Sequence, residues 1–213
     1  MNDPRMINLQ AYTTRVNVSR ETLTRIQTHF TLLKRWNPTI NLVGDRDPDN
    51  WWLRHYADCI QLADHVPKSH DPIFDLGSGA GFPGLILAAL IPDRPVCLVE
   101  RDQRKAAFLR HAARVMQLDV QIAECDLASL DSGAITLAVA RALAPLPVLL
   151  ERLEPIMARD GVLLAQKGRN WQKELDDSHL SHQFTCKAWP SLVENQARIL
   201  MVSNINRRTA QPD

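Results

Sequence analysis

Little in this chain calls for a staple, a membrane or an unusual compartment. Only four of its 213 residues are cysteine: Cys59, Cys97, Cys125 and Cys186. None forms a CxxC pair, and none stands near a histidine at zinc-ligand spacing. A disulfide scaffold and a structural zinc site are thereby excluded, no metal is expected, and reduced thiols of a cytoplasmic protein fit best. The longest apolar run, FPGLILAALIP, is well short of the ~18 residues that a membrane span needs. The opening MNDPRMINLQ lacks a basic stretch followed by an apolar core, so no signal peptide is expected. Repeats and low-complexity tracts are missing too. So is a charge excess: 25 Lys plus Arg against 24 Asp plus Glu leave a net +1. Any nucleic-acid site must therefore be a local patch.

What is present reads as one ordinary soluble domain with an extension. A chain of 24.1 kDa buries roughly 70% of its unfolded surface, enough for a core without covalent help. The 45% hydrophobic and 23% charged fractions exclude a disordered chain. Residues 1–66 read as a helical N-terminal extension. Ser19 is a good N-cap, and Leu23, Ile26, Phe30 and Leu33 follow at helical spacing. Asn37-Pro38 is expected to stop that helix. Asp47-Pro48 opens another, with Trp52, Tyr56, Cys59, Ile60 and Ala63 on its apolar face.

Residues 67–213 then alternate between strand and helix. Strands are expected at Ile73–Leu76, Pro95–Glu100, Val120–Ala123, Ile135–Ala140 and Gly161–Gln166. Helices are expected at Pro83–Ile91, Arg104–Met116, with Val115 on its apolar face, and Pro145–Met157. Gln183–Trp189 and Ala197–Ser203 form a closing pair that places one antiparallel strand at the edge. Apolar strands alternating with helices make an α/β fold: a mostly parallel sheet covered on both faces.

The strongest local signal is Phe74-Asp75-Leu76-Gly77-Ser78-Gly79-Ala80-Gly81-Phe82-Pro83-Gly84. It leaves a strand and opens a helix, and its glycines allow a tight turn and close approach to a ligand. Part of it spells GxGxxG, which admits a nicotinamide dinucleotide. Asp75 argues against one, because a carboxylate there repels a pyrophosphate and suits a ligand with an ammonium and a sulfonium group, S-adenosylmethionine. Glu100, after the next strand, is placed to accept hydrogen bonds from a ribose diol of either cofactor. Asp75 capping the helix start in a purely structural turn is the plainer alternative.

The loop resembles that of the GidB (RsmG) family, bacterial methyltransferases of guanosine N7 in 16S ribosomal RNA. Further matches surround it. Trp36-Asn37 with Asn41-Leu42 resembles the family's W-N-x-x-x-N-L, and Arg54-His55-Tyr56-Ala57-Asp58-Cys59 its R-H-x-x-D-S, with Cys59 for Ser. Ala140-Arg141-Ala142 resembles S-R-A, and Lys167-Gly168 the K-G that ends the fifth strand. The resemblance implies a Class I S-adenosylmethionine-dependent methyltransferase (Rossmann-like) fold with a seven-stranded, mostly parallel sheet. It implies a cofactor site at Gly77, Phe82, Leu127, Ala128 and Arg141, to which the chemistry above adds Asp75, Gly79 and Glu100. After strand three the family shows Arg, an apolar residue and two acids where this chain has Asp126-Leu127-Ala128-Ser129; its adenine contacts map to Leu127 and Ala128, and Asp126 is an alternative acceptor for the adenine amino group.

Candidates for RNA contact are Arg54, His55, Arg104, Arg110, Arg114, Arg141 and Lys167. Each has a plainer reading. Arg54 and His55 with Asp58 suit a polar cluster holding the extension on the sheet. Arg104, Arg110 and Arg114 suit a solvated helix face, Arg141 a surface ion pair and Lys167 a solvated lysine. Arg141 could equally bind the cofactor carboxylate or an RNA phosphate. No catalytic side chain is expected, since N7 carries a free lone pair and needs no general base. The partner expected is 16S ribosomal RNA or the small-subunit particle, with the protein a monomer. Rival readings are a small-molecule methyltransferase lidded by the N-terminal helices, a nicotinamide oxidoreductase, and a non-catalytic RNA-binding module.

Overall fold

The structure is a computed structural model that describes residues 18–208; the sequence reading of the first ten residues lies outside them. Helix α1 (Arg20–Ile40) starts where Ser19 caps it, its hydroxyl accepting from the Thr22 amide. Ile26 and Leu33 are buried, and Phe30 packs against the same cluster. Pro38 does not end the helix, contrary to expectation. It lies in the last turn, where its missing N–H costs one bond. The turn is closed by the Asn41 amide on the Asn37 carbonyl, with Asn41 left-handed at φ 49°. Asn37 Oδ1 then accepts from the Val43 amide at 2.8 Å.

The second helical stretch is built of unlike turns. After α2 (Pro48–Trp51), capped by Asp47 as expected, comes a π-helical segment (Trp52–Ala57), then α3 (Asp58–Leu62) and a 3₁₀ turn (Ala63–His65). Widened turns of this kind are rare and recur at functional sites. This one carries Arg54 and His55.

The alternating half comes next: β1 (Ile73–Leu76), α4 (Gly84–Leu90), β2 (Val96–Val99), α5 (Gln103–Val115), β3 (Gln121–Ala123), β4 (Ile135–Arg141), α6 (Leu146–Leu153), β5 (Met157–Lys167), α7 (Trp171–Ser178), β6 (His182–Pro190) and β7 (Arg198–Arg207). Helix α6 stops before Pro155, so Met157 opens a strand instead of closing a helix. Helix α7 has no counterpart in the sequence reading. Val115 is 42% exposed, so the apolar face of α5 ends at Ala112, Ala113 and the following Met116.

The seven strands run in the order β3-β2-β1-β4-β5-β7-β6. Strands β3 to β5 are parallel. Strand β7 is antiparallel to both neighbours, β5 and β6. The antiparallel strand is therefore internal, not at the edge as expected: β6 takes the edge and β7 slots back beside β5.

Successive strand residues face opposite sides. Ile73, Leu98, Leu137 and Val139 join a core that includes Ile26, Leu33, Trp51 and Tyr56 of the helical extension. Leu76, Val99, Ala138 and Ala140 join the opposite core with Leu149 and Leu150 of α6. Extension and sheet thus share one hydrophobic core. No helix among the described residues is long and apolar enough to cross a membrane.

Candidate active site: two cavities sharing one loop

The parallel strands end on a common rim, and two cavities open there. The first, about 390 Å³, is lined by the loops after β1 (Gly77, Gly79), β2 (Glu100, Arg101), β3 (Cys125, Asp126, Leu127) and β4 (Ala142, Leu143, Ala144), with Lys105 and Arg152. The second, about 540 Å³, is lined by Arg54 and Asp58 of the extension, Arg141 to Pro145, Gln166 to Gly168 at the end of β5, and the β6–β7 connection. The segment Ala142–Ala144 walls both.

The glycine turn is shaped by close approach. Gly81 has φ +88°, which L side chains rarely adopt, and a Cβ there would stand 2.5 Å from Leu85 Cδ1. Gly84 begins α4 so close to the sheet that a Cβ would collide with Leu98 and stand 2.5 Å from Asp75 Oδ2. Asp75 itself is fully buried, and its Oδ2 accepts from the Gly84 amide at 3.0 Å. It caps the helix start and does not line the cavity, and its Oδ1 is buried without a hydrogen-bond partner. Burial pushes its carboxyl up to about 7, against the hydrogen bond from the Gly84 amide.

Glu100 occupies the place foreseen for it. Its Oε2 accepts from the Gly79 amide at 2.9 Å and its Oε1 from the Asp102 amide at 2.8 Å. Each oxygen keeps a lone pair for a ribose hydroxyl. The repulsion assigned to Asp75 therefore belongs to Glu100: the Gly79 amide that would cradle a pyrophosphate is engaged by a carboxylate. Asp126 and Leu127 line the same cavity, with Asp126 Oδ1 held by the Ala128 amide and its Oδ2 3.3 Å from Arg101. Ala128 lies outside it.

Phe82 and Arg141 are also outside that cavity. Phe82 is buried edge-on to His29 and Tyr56, and the Arg141 guanidinium lies 5.7 Å over its ring. Arg141 is a hub. Its Nε donates to Asp58 Oδ2 at 3.2 Å, and its Nη2 to the Arg54 carbonyl at 3.0 Å and His55 Nδ1 at 2.7 Å. A guanidinium only donates, so His55 Nδ1 is the acceptor and the ring proton sits on Nε2. Burial, with the charges of Arg141 and Arg54, lowers the His55 pKa to about 3. His55 is thus neutral and buried, a support for Arg141. Burial raises the Asp58 carboxyl, outweighing the attraction of Arg141. Arg54 remains 68% exposed beside Asp45 and faces the second cavity.

Lys167 is not a solvated lysine. It is buried, donates to the Ala144 carbonyl at 2.6 Å and lies 2.9 Å from Glu174 Oε2, which also takes the Leu146 amide. These bonds pin the shared segment, in which Ala142 holds the strained φ of 53°. Arg104, Arg110 and Arg114 line neither cavity. They are on the exposed side of α5, where Arg110 pairs with Glu124 at 2.7 Å.

Several residues escaped the sequence reading. His29 is fully buried, with Nδ1 2.7 Å from the Tyr56 hydroxyl and Nε2 2.8 Å from the Ala80 carbonyl, so it ties α1 to the glycine turn. Burial lowers its pKa to about 4. Its position, three residues after Ile26, was the available signal. Leu143, Cys125, Lys105 and Arg152 of the first cavity carry no mark in the sequence, and Glu174 has no signal at all.

Residues 22–200 match the GidB family, described as rRNA small subunit methyltransferase G. This chain belongs to that family. Among its relatives, "Ribosomal RNA small subunit methyltransferase G" of Ruegeria sp. strain TM1040 is 39% identical over 90% of this chain and 95% of its own. The protein of that name from Gluconobacter oxydans strain 621H is 41% identical over 89% and 97%. Among solved structures, a SAM-dependent methyltransferase from Aquifex aeolicus superposes with a TM-score of 0.55, covering 74% of this chain and 93% of that one at 13% identity. The fold is that of the Class I methyltransferases.

Proposed function

We propose that this protein transfers the methyl group of S-adenosylmethionine to N7 of a guanosine in 16S ribosomal RNA. The observation that carries this reading is the pair of cavities divided by Ala142–Ala144 at the strand ends, in a member of a ribosomal RNA methyltransferase family. The glycine-loop cavity fits the cofactor. Glu100 offers a carboxylate to the ribose hydroxyls and Asp126 one to the adenine amino group, Leu127 an apolar wall, and Gly77 and Gly79 a turn that a ligand can approach closely. When bound there, S-adenosylmethionine supplies a methyl carbon activated by its sulfonium.

The chain's own task is placement. Arg141, braced by Asp58 and His55, lies on the acceptor side with Arg54, where cationic groups suit an RNA phosphate. Lys167 and Glu174 fix the wall across which donor and acceptor meet. N7 attacks through a lone pair it already has, so no side chain needs to remove a proton. Holding the reacting atoms in line is the contribution asked of the protein. The base must first leave its stack or lie in a loop.

N7-methylguanosine is cationic, which makes its RNA cleavable by borohydride and aniline. The expected result is cleavage at one guanosine of small-subunit RNA, dependent on both protein and cofactor. Labelled methyl transfer without a cleavage site would refute N7; label found only in small molecules would refute RNA. The single-turnover rate is expected to be nearly flat from about pH 6.5 to 8.5, because no essential base titrates.

A further inference from the structure

Guanine and adenine both carry an N7 lone pair, so a site that selects guanine must read another edge of the base. The pairing edge differs most. Guanine presents two adjacent donors, N1–H and the 2-amino group, where adenine presents an acceptor at N1 and nothing at C2. A base taken out of its stack is commonly read along that edge.

Two of the acceptors lining the second cavity are brought together from distant parts of the chain. One is Asp58 of α3. Its Oδ2 takes Arg141 Nε at 3.2 Å and its Oδ1 takes Gln61 Nε2 at 2.7 Å, so each oxygen still has a free lone pair. The other is Gln166, next to last in β5. Its Nε2 donates to the Asp58 carbonyl at 2.7 Å. That bond fixes the amide, since the flipped form would set two carbonyl oxygens together. Gln166 Oε1 is then buried with no hydrogen-bond partner, in a residue only 8% exposed. Buried acceptors are nearly always satisfied, and one left open beside a cavity calls for a donor from outside the chain. Both residues line this cavity.

We infer that Asp58 and Gln166 are the guanine-selecting pair, the carboxylate accepting from N1–H and Gln166 Oε1 from the 2-amino group. The inference rests on the N7-guanosine reading above. Adenine would turn its N1 lone pair toward the carboxylate and leave Gln166 Oε1 open. A site built to meet donors rejects a base that lacks them far more strongly than one built on shape.

The test uses small-subunit particles reconstituted from ligated RNA with guanosine, inosine or adenosine at the position mapped by cleavage. Inosine keeps N7, O6 and N1–H and lacks only the 2-amino group. Single-turnover kcat/KM is read by labelled methyl transfer for the wild type, Gln166→Met and Asp58→Asn. The wild type is expected to prefer guanosine over inosine by about tenfold. Gln166→Met should bring that ratio below about threefold. Asp58→Asn, whose amide can donate to adenine N1, should narrow the guanosine-to-adenosine ratio by about tenfold. A merely structural role would slow all substrates together and leave both ratios unchanged, which overturns the assignment. Equal use of inosine and guanosine by the wild type overturns it without any variant. If no particle is methylated, the N7 reading fails and the selecting pair falls with it.

Discussion

The two cavities are made of different materials. The glycine-loop cavity is built on short turns after β1, β2 and β3, with a carboxylate that bonds two of their amides, and is closed by the segment after β4, Lys105 and Arg152. The Arg141 cavity is organised by charged side chains that meet across long separations, Arg141 and Asp58 being 83 residues apart. Backbone tolerates few substitutions where it is closely packed. A side-chain network tolerates packing changes and depends instead on which charges remain paired.

The sharpest way to break this comparison is to add one methyl group to each region. Gly84→Ala puts a Cβ against Leu98 and Asp75 under the turn, whereas Gly168→Ala, at the rim of the other cavity, meets nothing within 4 Å. Gly84→Ala is expected to cost about 3 kcal/mol in urea unfolding, through forced shifts in a packed core. Gly168→Ala should change stability by less than about 0.5 kcal/mol. Equal costs would mean that the two regions do not differ in packing.

The same contrast decides what could be read from the sequence. The glycine turn, Glu100 and Asp126 were legible because each belongs to a short segment whose strand-to-loop position gives its direction. The parallel strands were legible from apolar runs between amphipathic helices. The place of β7 was not: pairing with β5 is a choice of neighbour, and local pattern carries no information on it. Asp75 was legible as a carboxylate in the turn but not as a buried one, since its orientation depends on how closely α4 approaches the sheet. The π-helical segment hid behind a helical apolar pattern, which one extra residue in a turn scarcely disturbs. Lys167 reads from the sequence as an RNA candidate or a solvated lysine because its partners, Ala144 and Glu174, lie on other elements.

Glu100→Ala comes next in expected effect. It removes a charged acceptor from the cofactor cavity and frees two backbone amides. S-adenosylmethionine affinity by calorimetry should fall by about 1.5–3 kcal/mol. Gln166→Met, on the other side of the shared wall, should leave it within about twofold. A loss in Gln166→Met as large as that in Glu100→Ala would mean that the cavities are not separate sites.

A third contrast is in titration, because the glycine turn is braced by His29, a group kept neutral. The folded pKa of His29 is about 4, against an ordinary 6.5. The unfolded chain therefore binds the proton more readily, and the stability owed to neutral His29 is full above about pH 6.5 and is lost as pH falls toward 4. Asp75 acts the other way: its raised pKa, about 7, favours the folded state most at low pH and loses that effect as pH rises from about 4 to 7. His29→Gln keeps a donor for the Ala80 carbonyl and removes the titration. Between pH 7 and pH 5 the variant should lose ~2 kcal/mol less stability than the wild type. Asp75→Asn should lose more than the wild type over the same range. Parallel curves for all three proteins would show that neither group titrates differently on folding.

The smallest effect expected concerns a basic helix face whose arginines line neither cavity. Helix α5 exposes Arg104 and Arg114 on a face whose third arginine, Arg110, is committed to Glu124. Arg114 contacts His111 Nδ1 at 3.1 Å and no carboxylate, and Arg104 has a 3.6 Å contact with Asp102, so both keep charge to offer a phosphate. Each phosphate contact that releases counterions adds close to one to the slope of log affinity against log salt. If α5 touches RNA, Arg104→Glu with Arg114→Glu should flatten the slope by about 2. Glu100→Ala, whose effect is confined to the cofactor, should leave it unchanged. An unchanged slope in the double variant would confine RNA binding to the side-chain cavity around Arg54 and Arg141. The contrast would then become a division of labour, with backbone holding the small cofactor and paired charges holding the polyanion.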